Sequence, residues 1–413
     1  AVVSPNGDDE TAVVGDGNLP YASIVLASEV SSKVIIIPGE YNESIQFVDK
    51  VTYYFMPGSI LVGGKFKDII SAKFPAGKVC KVLGSLKITS GLGQLLEIRS
   101  DIDLHFEFDE IDSPNASSAF YAESTAKLRI YGNSISIGQN VASAGYALTF
   151  RDSTDVEVTL KEGLESSHIL CFTRQGVEAN YTGRFIFNAS YAKTRADSPS
   201  GETYKGSMLH VTNGPGAYIE YNCDIINEAT VYSGTYPGVV TIHDAPYDAD
   251  RVKVVVNGNI TSDVMPCLDL VYLASYFDFY MNGNITTNGI PLHLQLSATG
   301  LGSANLFFNN STIKGAKNIW GGGKNIYFVD CILYNGNDDH IIGFNPGNPA
   351  LSSAYFYNCI AEGILGGTND FIDNASVLTV GCHNTKSNLP LGATVTDIFT
   401  GYTESAVFIV PKF

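Results

Sequence analysis

Short apolar runs that end in asparagine and glycine recur along the chain at similar spacing. The run from Val254 to Ile260 returns from Phe279 to Ile285, and a third version runs from Leu306 to Ile313. Strands that repeat every 20 to 30 residues or so are typical of proteins in which each repeat packs only against its neighbours, with periods of about 20 to 50 residues. The pattern therefore predicts stacked strands in one continuous array.

The apolar runs form one long series of predicted strands. Its members are 102–108, 128–137, 156–160, 185–191, 218–225, 252–260, 277–285, 306–313, 326–333, 355–360 and 377–382.

A second series lies between them and shows strict alternation of apolar and polar positions, which predicts half-buried strands. Its members are 146–150, 168–172, 208–211, 239–242, 267–270 and 291–296. Two apolar positions in each member point inward together, which indicates a parallel sheet with one register.

The composition agrees with strands and tight turns. Hydrophobic residues make up 45% of the 413 residues, charged residues 16%, and there are 41 glycines. Such a chain is too apolar for disorder and favours β-structure over helix. The exception is 20–29, for which we expect a short helix with Asn18 as its cap and Pro20 in its first turn.

The start of the chain resembles a known family. Val14-Gly15-Asp16-Gly17, the predicted helix, and then the apolar strand and turn of 34–41 are similar to the opening of pectate-lyase-like right-handed parallel β-helices. Many bacteriophage tailspikes and tail fibres begin in this way. The resemblance implies an all-β fold, a single-stranded right-handed parallel β-helix with an N-terminal capping helix.

This fold divides the chain into three parts. We expect an arm and capping helix in 1–32, the β-helix in 33–387, and a short C-terminal segment in 388–413 that serves oligomerisation. The apolar run 406–410 near the end requires a cover, either the last strands or another subunit. A homotrimer would supply that cover.

The net charge and the cysteine content argue against some classes of partner and site. The net charge of −17 argues against nucleic acid, whose phosphates are bound by lysine and arginine. The seven cysteines are odd in number and lack the Cys-x-x-Cys spacing, so neither a disulfide framework nor a zinc knuckle is indicated. Cys331, Cys359 and Cys382 recur at one place in the late repeats, where packing explains them better than metal binding.

Targeting signals are absent from the sequence pattern. No signal peptide is recognisable, and no apolar run approaches the 18 residues of a membrane span. We therefore expect no membrane insertion. The resemblance to tailspikes implies a protein that is made in the host cytoplasm and located in the virion, and we expect no cofactor.

The outward positions of the second series contain polar residues in columns. His210, His243, Asp269 and His293 would lie on one outer face, and Tyr232 and Tyr236 lie in a nearby loop of 227–237. Such a face suits glycan binding, since aromatic rings pack on sugars and polar groups bond their hydroxyls. Two alternatives stay open. The same side chains are of the types that bind metal ions, and a solvated face without a ligand would have the same composition.

Asp338 and Asp339 are the candidate catalytic pair. They resemble the Asp-Asp of pectin-hydrolysing polygalacturonases, in which one carboxyl acts as acid and the other as base. The other motifs of that family do not follow in order, and the surrounding sequence is also typical of a turn.

Three functions compete on this basis. The first is a virion surface protein of the tailspike or fibre type that binds a host-surface glycan as a homotrimer. The second is a polysaccharide lyase or glycoside hydrolase. The third is a structural capsid or tail component without a ligand.

Overall fold

Regular structure in the chain is almost entirely β. A computed structural model describes residues 1–68, 77–123, 125–138, 147–166, 170–171, 182–194, 209–212, 216–228, 239–243, 250–264, 267–271, 276–289, 292–295, 303–315, 319–322, 325–335, 342–343, 353–363, 376–380, 382–385 and 403–404. In these ranges the strands are accompanied by one seven-residue helix, Ile24–Val30. The prediction of an all-β chain is confirmed. The chain consists of two compact units, Ala1–Lys193 and Thr194–Phe413.

The first unit contains three ladders of parallel strands. The first ladder consists of Val2–Val3, Lys33–Ile36, Thr52–Val62, Lys78–Thr89, Ile102–Glu107, Lys127–Gly132, Asp155–Leu160 and Arg184–Thr194. The second ladder adds Gly39–Tyr41, Glu110–Ser113, Ser134–Ile137 and Gly163–Ser166 to the two long strands 52–62 and 78–89. The third ladder consists of Ser44–Gln46, Lys65–Asp68, Gly93–Ile98, Ala116–Ala122, Leu148–Phe150 and Leu170–Cys171.

The second unit repeats this arrangement. Its first ladder consists of Tyr218–Asn227, Val252–Asn257, Tyr276–Asn282, Ser303–Asn309, Asn325–Val329, Ser353–Tyr357, Ser376–Val380 and Thr403–Glu404. Its second ladder adds Ile260–Ser262, Ile285–Thr287, Thr312–Gly315, Ile332–Asn335, Ile360–Gly363 and His383–Thr385. Its third ladder consists of Leu209–Thr212, Val240–His243, Leu268–Val271, Leu292–Gln295, Ile319–Gly322 and Ile342–Gly343.

Alternating burial along the strands forms the cores. In Asp155–Leu160 every second residue is buried, and Tyr218–Asn227 follows the same rule over ten residues. Because neighbouring strands are in register, similar side chains stack on one another. The rings of Phe308 and Phe328, and those of Phe328 and Phe356, are 5.1 and 5.0 Å apart and nearly parallel. This distance is close to the spacing of about 4.8 Å between paired strands.

The repeat noticed in the sequence corresponds to adjacent strands. Val254 pairs with Phe279, Asn257 with Asn282, and Phe279 with Leu306, as the pattern predicts. Six of the predicted strands were too long, because each includes parts of two strands in different ladders: 128–137, 252–260, 277–285, 306–313, 326–333 and 355–360. The corner lies at Asn133 in the first and at Gly258-Asn259 in the second.

The amino-terminal helix begins later than predicted. It spans Ile24–Val30, and its cap is Ser23, whose hydroxyl accepts a hydrogen bond from the Leu26 amide. Asn18 is not the cap. Pro20 lies outside the helix, and its carbonyl accepts a hydrogen bond from the Asp8 amide at 3.0 Å. The preceding arm is also structured, since Val2–Val3 is the first strand of its ladder.

The predicted second series is the third ladder. All six members are present, and their boundaries shift by at most two residues at either end. The series is longer than predicted, because four strands precede it in the first unit and two follow it in the second. These strands were not in the predicted set, and they matter for the site described next.

Candidate functional site

A polar cluster lies on the outer face of the third ladder in the first unit. In each strand the inward residues are fully buried, as with Leu96, Phe120 and Leu148. The residues that follow them, Glu97, Tyr121 and Thr149, are in register with one another. Two positions later come three charged side chains on the same face: Arg99, Glu123 and Arg151.

Five of these residues form one connected group, which we call the Arg99–Arg151 network: Glu97, Arg99, Tyr121, Glu123 and Arg151. Arg99 Nε donates to Glu97 Oε1 at 2.7 Å, and Arg99 Nη1 lies 3.6 Å from Glu123 Oε1. Arg151 Nη1 lies 3.7 Å from Glu123 Oε2. Glu123 therefore bridges both guanidinium groups, and it also accepts the Tyr121 hydroxyl at 2.7 Å.

Tyr121 is enclosed by the two arginines. The guanidinium carbons of Arg99 and Arg151 lie 5.1 and 5.2 Å from its ring centroid, within the range of cation–π contacts. The residue is only 5% exposed. Burial raises the pKa of Tyr121 to about 12, and the hydrogen bond to Glu123 acts in the same direction. The phenol is therefore protonated at neutral pH and is a donor, and its ring is not accessible for a sugar to stack on.

The two arginine side chains of the network are suited to binding a ligand. A guanidinium has five N–H donors, and the described contacts of Arg99 and Arg151 occupy only part of them. Their side chains are 42% and 21% exposed. Arg151 Nε is buried and has no hydrogen-bond partner among the described residues, so it is not accessible to a ligand. The remaining N–H groups offer directional donors to hydroxyl or carboxylate oxygens of a ligand.

The predicted histidine column is present in the backbone register of the second unit. His210 pairs with Thr241, Thr241 with Asp269, and Asp269 with His293. The next strand continues the column with Trp320, which the sequence analysis did not include. His210, Asp269 and His293 thus occupy one line of positions across four strands, as expected.

The other predicted site residues do not join this line. His243 pairs with Thr212 and so belongs to the neighbouring column. Tyr232, Tyr236, Asp338 and Asp339 lie outside the described residues. Their assignment as glycan-binding and catalytic residues stays a prediction.

The sequence contained a signal for the Arg99–Arg151 network. Leu96-Glu97-Ile98-Arg99 and Phe120-Tyr121-Ala122-Glu123 have the same order of apolar and polar positions as Leu148-Thr149-Phe150-Arg151. Only the last of these was assigned to a strand of the second series. Extending the alternation by two repeats toward the amino terminus places all five residues on one face.

Other classes of site have little support in the described part of the chain. No group of three or more histidine, cysteine, aspartate or glutamate side chains there is arranged to hold a metal ion. Six cysteines there are free thiols, five of them buried. None of the helical structure described is long and apolar enough to cross a membrane.

We compared the chain with models of protein families, with curated proteins and with solved structures, and none of the three comparisons found a match. The candidate site is therefore defined by its own geometry.

Proposed function

We propose that the protein is a virion surface protein of the tailspike or tail-fibre type, which binds a host-surface glycan. In this proposal the ladders of each unit are successive turns of a right-handed parallel β-helix, and three chains assemble into a homotrimer. Strands that pair in parallel with the next repeat in three ladders per unit support the fold assignment.

The observation that carries the binding function is the Arg99–Arg151 network. Two partly exposed guanidinium groups are fixed by Glu123 and Tyr121 on the outer face of the third ladder. Preorganised donors lose little conformational freedom when a ligand binds, which favours recognition of the many oxygens of a glycan. In the second unit, His210, Asp269 and His293 occupy polar positions in one backbone register.

Binding can be tested with capsular or O-antigen polysaccharide from candidate hosts, measured by isothermal titration calorimetry. Arg99→Gln removes the more exposed guanidinium, and we expect the affinity to fall about tenfold or more, because hydrogen bonds to charged groups are worth about 1.5–3 kcal/mol. Arg129→Gln is the matched control, because Arg129 pairs with Asp155 at 2.8 Å on a different ladder of the same unit. Equal affinities of the two variants would contradict the assignment of the site.

A polysaccharide lyase or glycoside hydrolase is the second candidate. The observation in its favour is that Arg99 contacts two carboxylates, Glu97 and Glu123, so that both lie in one cluster. Paired carboxylates are the machinery of glycoside hydrolysis. Release of short oligosaccharides from the same polysaccharide, abolished in Glu97→Gln or Glu123→Gln, would establish this function in place of simple binding.

The remaining features of the proposal have their own tests. A mass near three chains by light scattering would support the homotrimer, and a monomer would contradict it. Absence of binding to every host polysaccharide would favour a structural capsid or tail component.

A further inference from the structure

An aromatic stack runs along the outer face of the first ladder in the second unit. We call it the aromatic ladder, and its members are Tyr280, Phe307, Tyr327 and Tyr355. Successive ring centroids are 4.7, 4.8 and 4.6 Å apart, and the planes differ by 14°, 11° and 9°. The residues are in register on four consecutive strands.

The rings of this ladder show their edges to the outside. Each inner ring has another ring on both of its faces, and the Lys253 ammonium lies 4.7 Å from the centroid of Tyr280. Phe307 is 9% exposed, and the three tyrosines are partly exposed. Ring edges are electropositive and lined by C–H groups, so they suit oxygen atoms better than stacked partners.

Polar side chains flank the ladder on one side. Asp278, Asn305 and Asn325 each lie two positions before an aromatic residue, and therefore on the same face of their strands. Asn305 Nδ2 donates to Asp278 Oδ1 at 2.7 Å, and Asn325 Nδ2 donates to Asn305 Oδ1 at 3.0 Å. Arg251 Nε donates to Asp278 at 3.0 Å and balances its charge.

A second amide column flanks the ladder on the other side. Asn257 and Asn282 lie two positions after Val255 and Tyr280, again on the same face. Asn282 Nδ2 donates to Asn257 Oδ1 at 2.8 Å. A primary amide has two N–H groups and two acceptor positions on its oxygen. The bond to a neighbouring amide uses one of each at most, so these side chains retain donors and acceptors for a ligand.

The face is uncharged from Phe307 to Tyr355, and at its Tyr280 end the Arg251 and Lys253 cations lie near Asp278. Burial, followed by the charge of Asp278, raises the pKa of Tyr280, and burial followed by Tyr355 raises that of Tyr327. The phenols therefore stay protonated at neutral pH. In a chain with a net charge of −17, an uncharged stretch with repeated donors and acceptors favours an uncharged ligand that is rich in hydroxyl groups.

We propose that the aromatic ladder and its flanking amides form a binding track for a neutral, linear polysaccharide that lies parallel to the stack. Successive rings lie on neighbouring strands, which are about 4.8 Å apart. This distance is comparable with the length of a sugar unit in an extended chain. Sugar oxygens contact the ring edges and phenol hydroxyls, and the amides on both sides bond the outer hydroxyls. The inference shares with the proposed function only that the ligand is a carbohydrate.

The test is affinity electrophoresis of the full chain in gels that contain hydroxyethyl cellulose or a linear galactomannan, with polygalacturonate as the acidic comparison. We expect retardation by at least one neutral polymer and none by polygalacturonate. The variant Tyr327→Phe/Asn325→Ser removes one phenol hydroxyl and one amide, and we expect about tenfold weaker binding, corresponding to one or two hydrogen bonds. Tyr54→Phe makes the same phenol change at an exposed position of the first unit and is the matched control.

Three results would overturn the inference: no retardation by either neutral polymer, equal retardation of the double variant and the wild type, or a change only in the mass of the assembly by light scattering. The last would identify the face as a contact between copies.

Arg99→Gln separates the two proposals. Loss of host-polysaccharide binding with unchanged retardation supports both. If neutral polymers do not bind but Arg99→Gln still weakens host-polysaccharide binding, the proposed function stands and this inference fails.

Discussion

Asn282 donates a hydrogen bond from its side-chain amide to Asn257 Oδ1 at 2.8 Å, although the two residues are 25 positions apart. Asn257 in turn donates to Asn222 Oδ1 at 2.7 Å. Asn257 and Asn282 end neighbouring strands, and Asn222 lies within the long strand Tyr218–Asn227. The three side chains bond each other in a column that fixes the register. A repeated asparagine is useful here because its amide is both donor and acceptor.

The first prediction concerns this amide column. Asn257→Ala removes two side-chain hydrogen bonds and leaves Asn222 Oδ1 and Asn282 Nδ2 without their partner in the column. We expect the free energy of unfolding to fall by about 1–3 kcal/mol, the cost of unsatisfied polar groups. Urea unfolding followed by circular dichroism measures the change.

Asn325→Ala is the control for that prediction. Asn325 is the donor of a single side-chain bond to Asn305, at 3.0 Å, so a loss of about 1 kcal/mol is expected. If both variants unfold at the same urea concentration as the wild type, the amide columns do not stabilise the fold.

The second prediction concerns the glycines that follow these asparagines. A Cβ atom at Gly258 would lie 2.0 Å from the Cys223 carbonyl oxygen, and one at Gly283 would lie 2.1 Å from that of Gly258. Both neighbours are backbone, so the strands would have to move apart. We expect Gly258→Ala and Gly283→Ala each to cost about 1–3 kcal/mol, as for other overpacked positions.

Gly17→Ala is the matched control for the glycine variants. No heavy atom lies within 4 Å of a Cβ at this position. Thermal unfolding should show a lower midpoint for the two corner variants and an unchanged midpoint for Gly17→Ala. A midpoint that falls by the same amount in all three would show that the close approach of strands is not responsible, because Gly→Ala without a clash lowers the entropy of the unfolded chain and does not destabilise the fold.

Much of the strand order followed from the sequence because the repeat is local. Pairs such as Leu268 and Leu270 alternate with polar residues, and a strand with one buried face can take only one of two orientations. Stacking of such pairs predicted that Asp269 is next to His293, which the register confirms. The same reasoning did not find the corner at Asn133, because apolar residues continue on both sides of it.

The parts that were missed depend on contacts between distant residues. Asn18 and Ser23 are both suitable helix caps by sequence, and the arm decides between them. Asp9 Oδ1 accepts hydrogen bonds from the amides of Ala22 and Ser23, while the Glu43 carboxylate accepts from those of Ile24 and Val25. These contacts hold the first turn at Ile24.

The Arg99–Arg151 network was missed for a similar reason. Its members come from three strands, and each strand alone has an ordinary charged or aromatic residue at an outward position. Only the stacking of the strands brings Arg99 and Arg151 to the ring of Tyr121. The histidine column was easier to predict, since it required register alone.

The third prediction uses the raised pKa of Tyr121, which is about 12 in the folded protein against about 10 in an unfolded chain. Below pH 10 both states keep the proton, and the contribution to stability is constant. Between pH 10 and 12 the unfolded state loses the proton first, so stability decreases as pH rises. We expect the wild type to lose up to about 2 kcal/mol more than Tyr121→Phe over this window.

Glu123→Gln provides a further check on this prediction. The carboxylate of Glu123 helps to raise the pKa of Tyr121, so its neutral replacement should make the decrease in stability smaller and end it at a lower pH. Unfolding free energies at a series of pH values measure both effects. Parallel profiles for the wild type and Tyr121→Phe would show that the phenol titrates normally and is not enclosed.

The fourth prediction concerns the thiols. Cys267 is fully buried, and its sulfur lies 3.9 Å from the Ile260 carbonyl oxygen and 3.7 Å from that of Thr286. Burial raises the pKa of the Cys267 thiol well above its usual value, and that of Cys223 likewise. Since the thiolate is the reactive form, both should resist alkylation in the native protein. Cys382 is partly exposed and should react first.

Maleimide labelling followed by mass spectrometry of peptides measures these rates at neutral pH. We expect Cys382 to be modified while Cys223 and Cys267 remain unlabelled, and all three to be labelled in concentrated guanidinium chloride. The denatured sample controls for intrinsic reactivity, because burial no longer separates the thiols there. Native labelling of Cys267 as fast as that of Cys382 would mean that the strand Leu268–Val271 does not close over the core next to Ile260.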